Sequence, residues 1–253
     1  ILYLTYSALN ESGKSTLFLM SAELSNNSLI NKKVIFEANA FRRVPIHLGA
    51  KIDFLPDGTL LLTSGDGFDY KEQAQSLNNH FGKIIRLNKD GSVPSDNPFV
   101  DKPNALPEIF SYGHRNMQGL VVMEDGRIFE HEHGPRGGDE FNLIEPGKNY
   151  GWPAITYGID YSGAVISPFT KMDGMEQPLK YWVPSIAPSD MIYYDGDLYP
   201  ELKNSFLVTA LKSRDVKKIK KINSLFSEES IFSNLKSRLR SIGISPSGEM
   251  YLL

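Results

Sequence analysis

The chain has 253 residues and no cysteine, which removes disulfides, thiolate catalysis and cysteine-ligated metals together and leaves the redox compartment open. Its acidic and basic residues are interspersed and sum to a formal charge of −3, a balance that argues against a nucleic-acid or acidic-membrane partner and favours a small neutral or anionic ligand. No stretch approaches the roughly 20 apolar residues needed to span a bilayer.

Ile1-Leu2-Tyr3-Leu4-Thr5-Tyr6 reads as a strand without the basic start of a signal peptide, so a mature or trimmed soluble domain is expected. Pro56-Asp57-Gly58-Thr59-Leu60-Leu61-Leu62-Thr63 reads as a tight turn feeding an apolar strand. Lys71 to Asn79 fits a short helix or loop, and the proline-rich stretch from Pro94 to Pro107 an ordered loop. The turn-and-strand unit returns in Glu124-Asp125-Gly126-Arg127-Ile128-Phe129 and again in Pro246-Ser247-Gly248-Glu249-Met250-Tyr251-Leu252. Between these last two lie a second proline-rich loop, Pro184 to Pro188, and a polar, weakly helical segment from Asn223 to Lys236. Most periodic segments are short, rich in β-branched and aromatic residues, and bounded by Gly, Pro, Asn and Asp, which predicts an all-β chain. A hairpin-plus-strand unit at wide spacing predicts propeller blades, because one four-stranded sheet cannot bury both faces without neighbours. Residues 1–253 are read as a single domain, with the site in the insertions between strands.

The densest polar constellation runs from Glu130 through His131, Glu132 and His133 to Gly134-Pro135-Arg136-Gly137-Gly138-Asp139-Glu140. Alternating histidines and carboxylates on a strand raise the thought of zinc or iron. The plainer reading is that His131 and His133 share a solvated face. The glycine-rich loop offers backbone oxygens, and with Glu140 beside it suits calcium better than a transition metal. Gly113-His114-Arg115-Asn116 places a cation and an amide just before a strand, where an ordinary surface turn is the alternative. Lys212, Arg238 and Arg240 are cations that could converge or simply be solvated. His47 precedes a strand-turn-strand ending in Ser64-Gly65-Asp66, which could bring a carboxylate beside the imidazole; such a pair is a plausible general base near neutral pH.

These clusters, with Phe81-Gly82-Lys83-Ile84-Ile85-Arg86-Leu87-Asn88, Asp96-Asn97-Pro98-Phe99, Tyr150-Gly151-Trp152-Pro153 and Pro184-Ser185-Ile186-Ala187-Pro188-Ser189, resemble the soluble pyrroloquinoline quinone (PQQ) dependent aldose sugar dehydrogenases, also called glucose/sorbosone dehydrogenase-like proteins. The resemblance spans nearly the whole chain. It implies a six-bladed β-propeller holding PQQ beside Ca2+, an aldose substrate, an external electron acceptor, and a periplasmic or secreted location. It assigns His47 as general base, Asp66 as its orienting carboxylate, and Arg115 and Asn116 as quinone contacts. Lys212, Arg238 and Arg240 match the cations that hold the cofactor. The Gly134 and Pro135 carbonyls match the ligands of the PQQ-linked calcium, and Glu140 with the Tyr150 carbonyl those of a second ion.

The chain departs from the family pattern in three places. A further N-terminal blade, with a Gln that touches PQQ, has no counterpart before Ile1; Leu252-Leu253 falls inside a strand that usually continues; and Lys51 stands where an Arg is usual. Exposed sheet edges are then expected, which association into a homo-oligomer would cover. Two other functions fit the same fold: a binding propeller without turnover, and a calcium-dependent lactonase. The lactonase needs carboxylates and an Asn around one central metal, whereas the basic residues here point to an anionic cofactor.

Overall fold

The structure, a computed structural model, describes residues 1–223 and 225–253. Among them are strands and three short 3-10 turns, and no α-helix. The strands form five antiparallel sheets in chain order. The first holds β1 (Leu2–Leu9), β2 (Ser15–Ser25) and β3 (Ser28–Glu37); the second β4 (Gly49–Phe54), β5 (Leu60–Ser64), β6 (Lys83–Leu87) and β7 (Ile109–Tyr112). The third holds β8 (Met117–Val122), β9 (Ile128–Glu132), β10 (Asp139–Ile144) and β11 (Lys180–Trp182). The fourth holds β12 (Pro188–Tyr194), β13 (Ser205–Ala210), β14 (Val216–Ile222) and β15 (Leu225–Ile231), and the fifth β16 (Ile242–Ile244) and β17 (Met250–Leu252). The leading strands of successive sheets lie side by side, β4 against β8, β8 against β12 and β12 against β16, so the sheets fan out as propeller blades do.

The three turn-and-strand units share one set of hydrogen bonds. Leu55 N–H donates to Thr59 C=O and Gly58 N–H to Leu55 C=O; Met123 with Arg127 and Gly126, and Ser245 with Glu249 and Gly248, repeat the pattern. Gly58, Gly126 and Gly248 sit at φ of 84°, 85° and 93°, a conformation that favours glycine.

The run Leu60-Leu61-Leu62 is apolar throughout because both faces of β5 are covered. Leu60 and Leu62 pack with Leu17 and Leu19 of the first sheet, whereas Leu61 packs with Met117, Leu120 and Ile128 of the third. Each such side chain contributes about 1.5–3 kcal/mol when fully buried. The same alternation continues with Phe129, Phe141 and Phe206 between the third and fourth sheets, and Tyr194, Leu207 and Ile242 between the fourth and fifth. Lys51, on β4, donates to Asp190 of β12 at 2.6 Å, and Asp190 also accepts the Ile242 N–H at 3.2 Å, so the one carboxylate ties together the leading strands of three sheets.

Lys71–Gln75 forms a 3-10 turn, within the segment expected as a short helix or loop. The weakly helical expectation for Asn223 to Lys236 fails. Apart from Ser224, which lies outside the described residues, this segment holds strand β15 and a 3-10 turn at Ser233–Leu235. β15 is the outermost strand of its sheet, so its solvated polar residues carry little alternation, and pairing with β14 sets its conformation instead.

Candidate active site

His47 lies just before β4 and Asp66 just after β5, and the pairing of these strands brings the two residues together. His47 adopts φ 49°, and its carbonyl accepts from Arg42 Nη1 at 2.8 Å. That carbonyl also presses on Gly65, where a Cβ would stand 2.2 Å from it. His47 Nδ1 is 2.7 Å from Asp66 Oδ1. Asp66, 1% exposed, also accepts the Phe68 N–H on Oδ1 at 2.9 Å and Trp152 Nε1–H on Oδ2 at 2.8 Å. A carboxylate only accepts, so the hydrogen of the His47–Asp66 bond belongs to Nδ1, and the lone pair of the neutral imidazole lies on Nε2.

A cleft of about 220 Å³ opens beside this pair, lined among others by Asp66, Phe68, Arg115, Pro135, Trp152 and Tyr161. Phe68 meets the His47 ring edge-on at 5.2 Å and stacks with Tyr161 at 6.4 Å, both rings being substantially exposed.

Arg115, in the β7–β8 connection, is fixed from several sides. Its N–H donates to Glu132 at 2.6 Å and its carbonyl accepts the Asp66 N–H at 2.7 Å. Nη1 donates to the carbonyls of His133 at 2.9 Å and Gly134 at 2.7 Å, and the guanidinium lies 5.2 Å from the Trp152 ring centre. Nε is buried without a partner. Asn116 follows, its Oδ1 accepting from Gln118 and standing 3.2 Å from where a Gly65 Cβ would be.

Glu140, on β10, pairs in register with Glu132 on β9. Burial pushes the Glu140 carboxyl up to about 7, and burial with neighbouring carboxylates pushes those of Glu130 and Glu132 well above the usual range. The Tyr150 hydroxyl donates to the Leu143 carbonyl at 2.7 Å, and its ring stacks on His114 at 4.6 Å.

The expected solvated face for His131 and His133 is not there. His131 is fully buried with both ring nitrogens unpartnered, and burial lowers its pKa to about 3; His133 is half-buried with Nε2 on the Pro188 carbonyl at 2.5 Å. β9 is an inner strand of its sheet with other sheets packed on both sides, so polarity did not predict exposure. Neither histidine belongs to a cluster of three or more potential metal ligands among the described residues.

The structure thus brings His47, Asp66 and Arg115 together, with Asn116, Gly134 and Pro135 adjoining them. Lys212, Arg238 and Arg240 are exposed, make no ion pair among the described residues, and line no part of the cleft. Trp152 is legible in the sequence only as part of Tyr150-Gly151-Trp152-Pro153; no spacing announces its bond to Asp66, 86 residues away.

The pattern of the family described as glucose/sorbosone dehydrogenase matches residues 1–253. An uncharacterized protein of Synechocystis is 38% identical over 99% of this chain and 63% of its own length. The aldose sugar dehydrogenase YliI of Escherichia coli is 36% identical over 100% of this chain and 69% of its own length. This chain therefore spans about two thirds of the length of these relatives. Quinoprotein glucose dehydrogenase B of Acinetobacter calcoaceticus is 45% identical over 33% of this chain and 17% of its own length. The crystal structure of the soluble aldose sugar dehydrogenase from Escherichia coli, in its apo-form, superposes with a TM-score of 0.94 at 33% identity, covering 99% of this chain and 74% of that one.

Proposed function

This chain belongs to the glucose/sorbosone dehydrogenase family, and on that footing we propose that it serves a PQQ-dependent oxidation of aldose sugars at the anomeric carbon, yielding the lactone. The carrying observation is the His47–Asp66 pair at 2.7 Å, whose Asp66 lines a cleft together with Arg115.

The donor set fits an anionic quinone. PQQ carries three carboxylates, which call for charge-assisted donors. Arg115 keeps a buried, unpartnered Nε, and Lys212, Arg238 and Arg240 have no ion-pair partner among the described residues. Arg115 and Asn116 would face the quinone; Lys212, Arg238 and Arg240, which line no part of the cleft, would meet only carboxylates that extend beyond it. The Gly134 carbonyl already accepts from Arg115, but a carbonyl oxygen has a second lone pair, so with Pro135 it can also serve a calcium ion. Glu140, whose charge burial disfavours, and the Tyr150 carbonyl would hold a second calcium.

When bound, PQQ would supply a two-electron acceptor for the hydride of the anomeric carbon. His47 Nε2 takes the proton of the anomeric hydroxyl, and Asp66 stabilises the imidazolium that results. Trp152 and the Phe68 N–H keep Asp66 in place while this happens. Arg115, held on two backbone carbonyls, is a preorganised donor for developing negative charge. An external electron acceptor would reoxidise the cofactor, and we place the reaction in the periplasm or outside the cell. No helix among the described residues is long and apolar enough to cross a membrane.

The test is titration of the folded chain with PQQ in calcium, followed by aldose-dependent reduction of a dye. Stoichiometric binding with sugar-dependent turnover, abolished in His47→Ala with the fold intact, is the expected result. A folded chain that neither binds PQQ nor oxidises sugars would overturn the proposal.

A further inference from the structure

Below the cleft, three side chains from two neighbouring segments meet in the interior. Glu130 and Glu132 stand two apart on β9 and so share a face, and His114 reaches them from the β7–β8 connection. His114 and Glu130 are 0% exposed and Glu132 is 3% exposed. His114 Nδ1 lies 3.8 Å from Glu130 Oε1 and 3.9 Å from Glu132 Oε2, and one ligand atom from each residue falls within 4.8 Å of the others.

Those separations are too long for hydrogen bonds. His114 Nδ1 has no partner, and neither does Glu130 Oε2 nor Oδ1 of the fully buried Asn142, whose amide donates to Glu130 Oε1 at 2.9 Å. On its other side, His114 Nε2 is 2.9 Å from Ser111 Oγ. With Nε2–H donating to that hydroxyl, Nδ1 turns a bare lone pair toward two carboxylates. Unpartnered polar groups at this depth are costly, and ionising the two carboxyls there without a counter-charge is costlier still. A cation between them removes both penalties at once.

We propose that His114, Glu130 and Glu132 bind one divalent first-row transition ion, of the zinc or manganese class. An imidazole nitrogen with two carboxylates is a donor set such ions accept, whereas calcium prefers six to eight oxygens. Ligand atoms around a four-coordinate zinc with bonds of about 2.0–2.1 Å lie roughly 3.3 Å apart, so each carboxylate oxygen needs to approach His114 Nδ1 by only about half an ångström. Ser111 is then the outer partner that fixes the imidazole tautomer. The site clamps β9 to the segment carrying Arg115, because Glu132 Oε2 also accepts the Arg115 N–H. It uses none of the residues proposed above as calcium ligands, although Glu132 borders the same small cavity as Glu140 and Tyr150, and it does not depend on the dehydrogenase reading.

The experiment takes the full chain refolded with Zn2+, Mn2+ or Co2+, dialyses it exhaustively, and measures metal content, the visible spectrum of the cobalt form and the thermal midpoint. One equivalent of metal, cobalt d–d bands and a zinc-dependent rise in Tm are expected. All three should vanish in Glu130→Leu, or in Glu130→Gln should the leucine variant not fold, and persist in Glu140→Gln. Folded wild-type protein that retains no transition metal overturns the proposal, as does a Glu130 variant that keeps the metal, or metal binding lost only with Glu140. PQQ titration of the same preparations is scored separately, so failure of one reading is told from failure of the other.

Discussion

Trp152 Nε1 donates to Asp66 Oδ2 at 2.8 Å, the oxygen that His47 leaves free. The indole thus fixes the rotation of the carboxylate on which the imidazole depends. Trp152→Phe keeps most of the ring and deletes the donor. We expect kcat for aldose oxidation to fall roughly tenfold, the equivalent of about 1.4 kcal/mol, with PQQ stoichiometry unchanged. Steady-state kinetics beside a PQQ titration decide it; an unchanged kcat would remove Trp152 from the positioning role.

Asp66→Asn tests the tautomer. An amide NH2 facing Nδ1 would favour the imidazole with hydrogen on Nε2, the atom assigned to accept the sugar proton. A loss of about 10²–10⁴ in kcat is expected, with the circular dichroism spectrum retained. Activity within a few-fold of wild type would show that this bond does not orient the base.

Gly65→Ala places a methyl carbon 2.2 Å from the His47 carbonyl oxygen, a backbone contact that cannot simply swing away. The His47 segment has to shift, and displacement near 1 Å can cost about 100-fold in rate. Both a lower Tm and a kcat loss of that order are expected. A stable, fully active Gly65→Ala would mean that the segment before β4 yields freely.

Lys83 is fully buried, and its ammonium group donates to the carbonyls of Gln73, Ala74 and Phe81. Lys83→Met strands these acceptors, and a destabilisation of about 1–3 kcal/mol by denaturant titration is expected. Burial also lowers the Lys83 pKa from 10.5 to about 7. Between about pH 7 and 10.5 the unfolded chain therefore binds more protons than the folded one, so this group's contribution to stability grows as pH rises through that window and is lost as pH falls to 7. The Met variant should lack that component of the pH dependence; an identical slope in both proteins would count against it.

Much of the blade arrangement was legible because its signals are local. Pro56-Asp57-Gly58 and its two counterparts encode a turn whose glycine needs positive φ, and the following apolar run marks a strand covered on both faces. Proximity of Asp66 to His47 was accessible too, since a strand-turn-strand separates them. Long-range burial was not. His131 and His133 read as a solvated face, yet sheets on either side enclose His131 together with Glu130 and Glu132. β15 was misread because an outer strand with wetted faces has almost no apolar period to read. The exposed positions of Lys212, Arg238 and Arg240 likewise depend on tertiary placement.

Each apolar cluster among the described residues is shared by two adjacent sheets, and the inner strands β5, β6, β9, β10, β13 and β14 each contribute to two of them. Stripping one inner blade would wet the flanks of both neighbours, so the described sheets should melt as a single cooperative unit. In hydrogen exchange, the slowest amides of β5, β9 and β13 should then report one common opening event, with a gradient of protection appearing only toward outer strands such as β15.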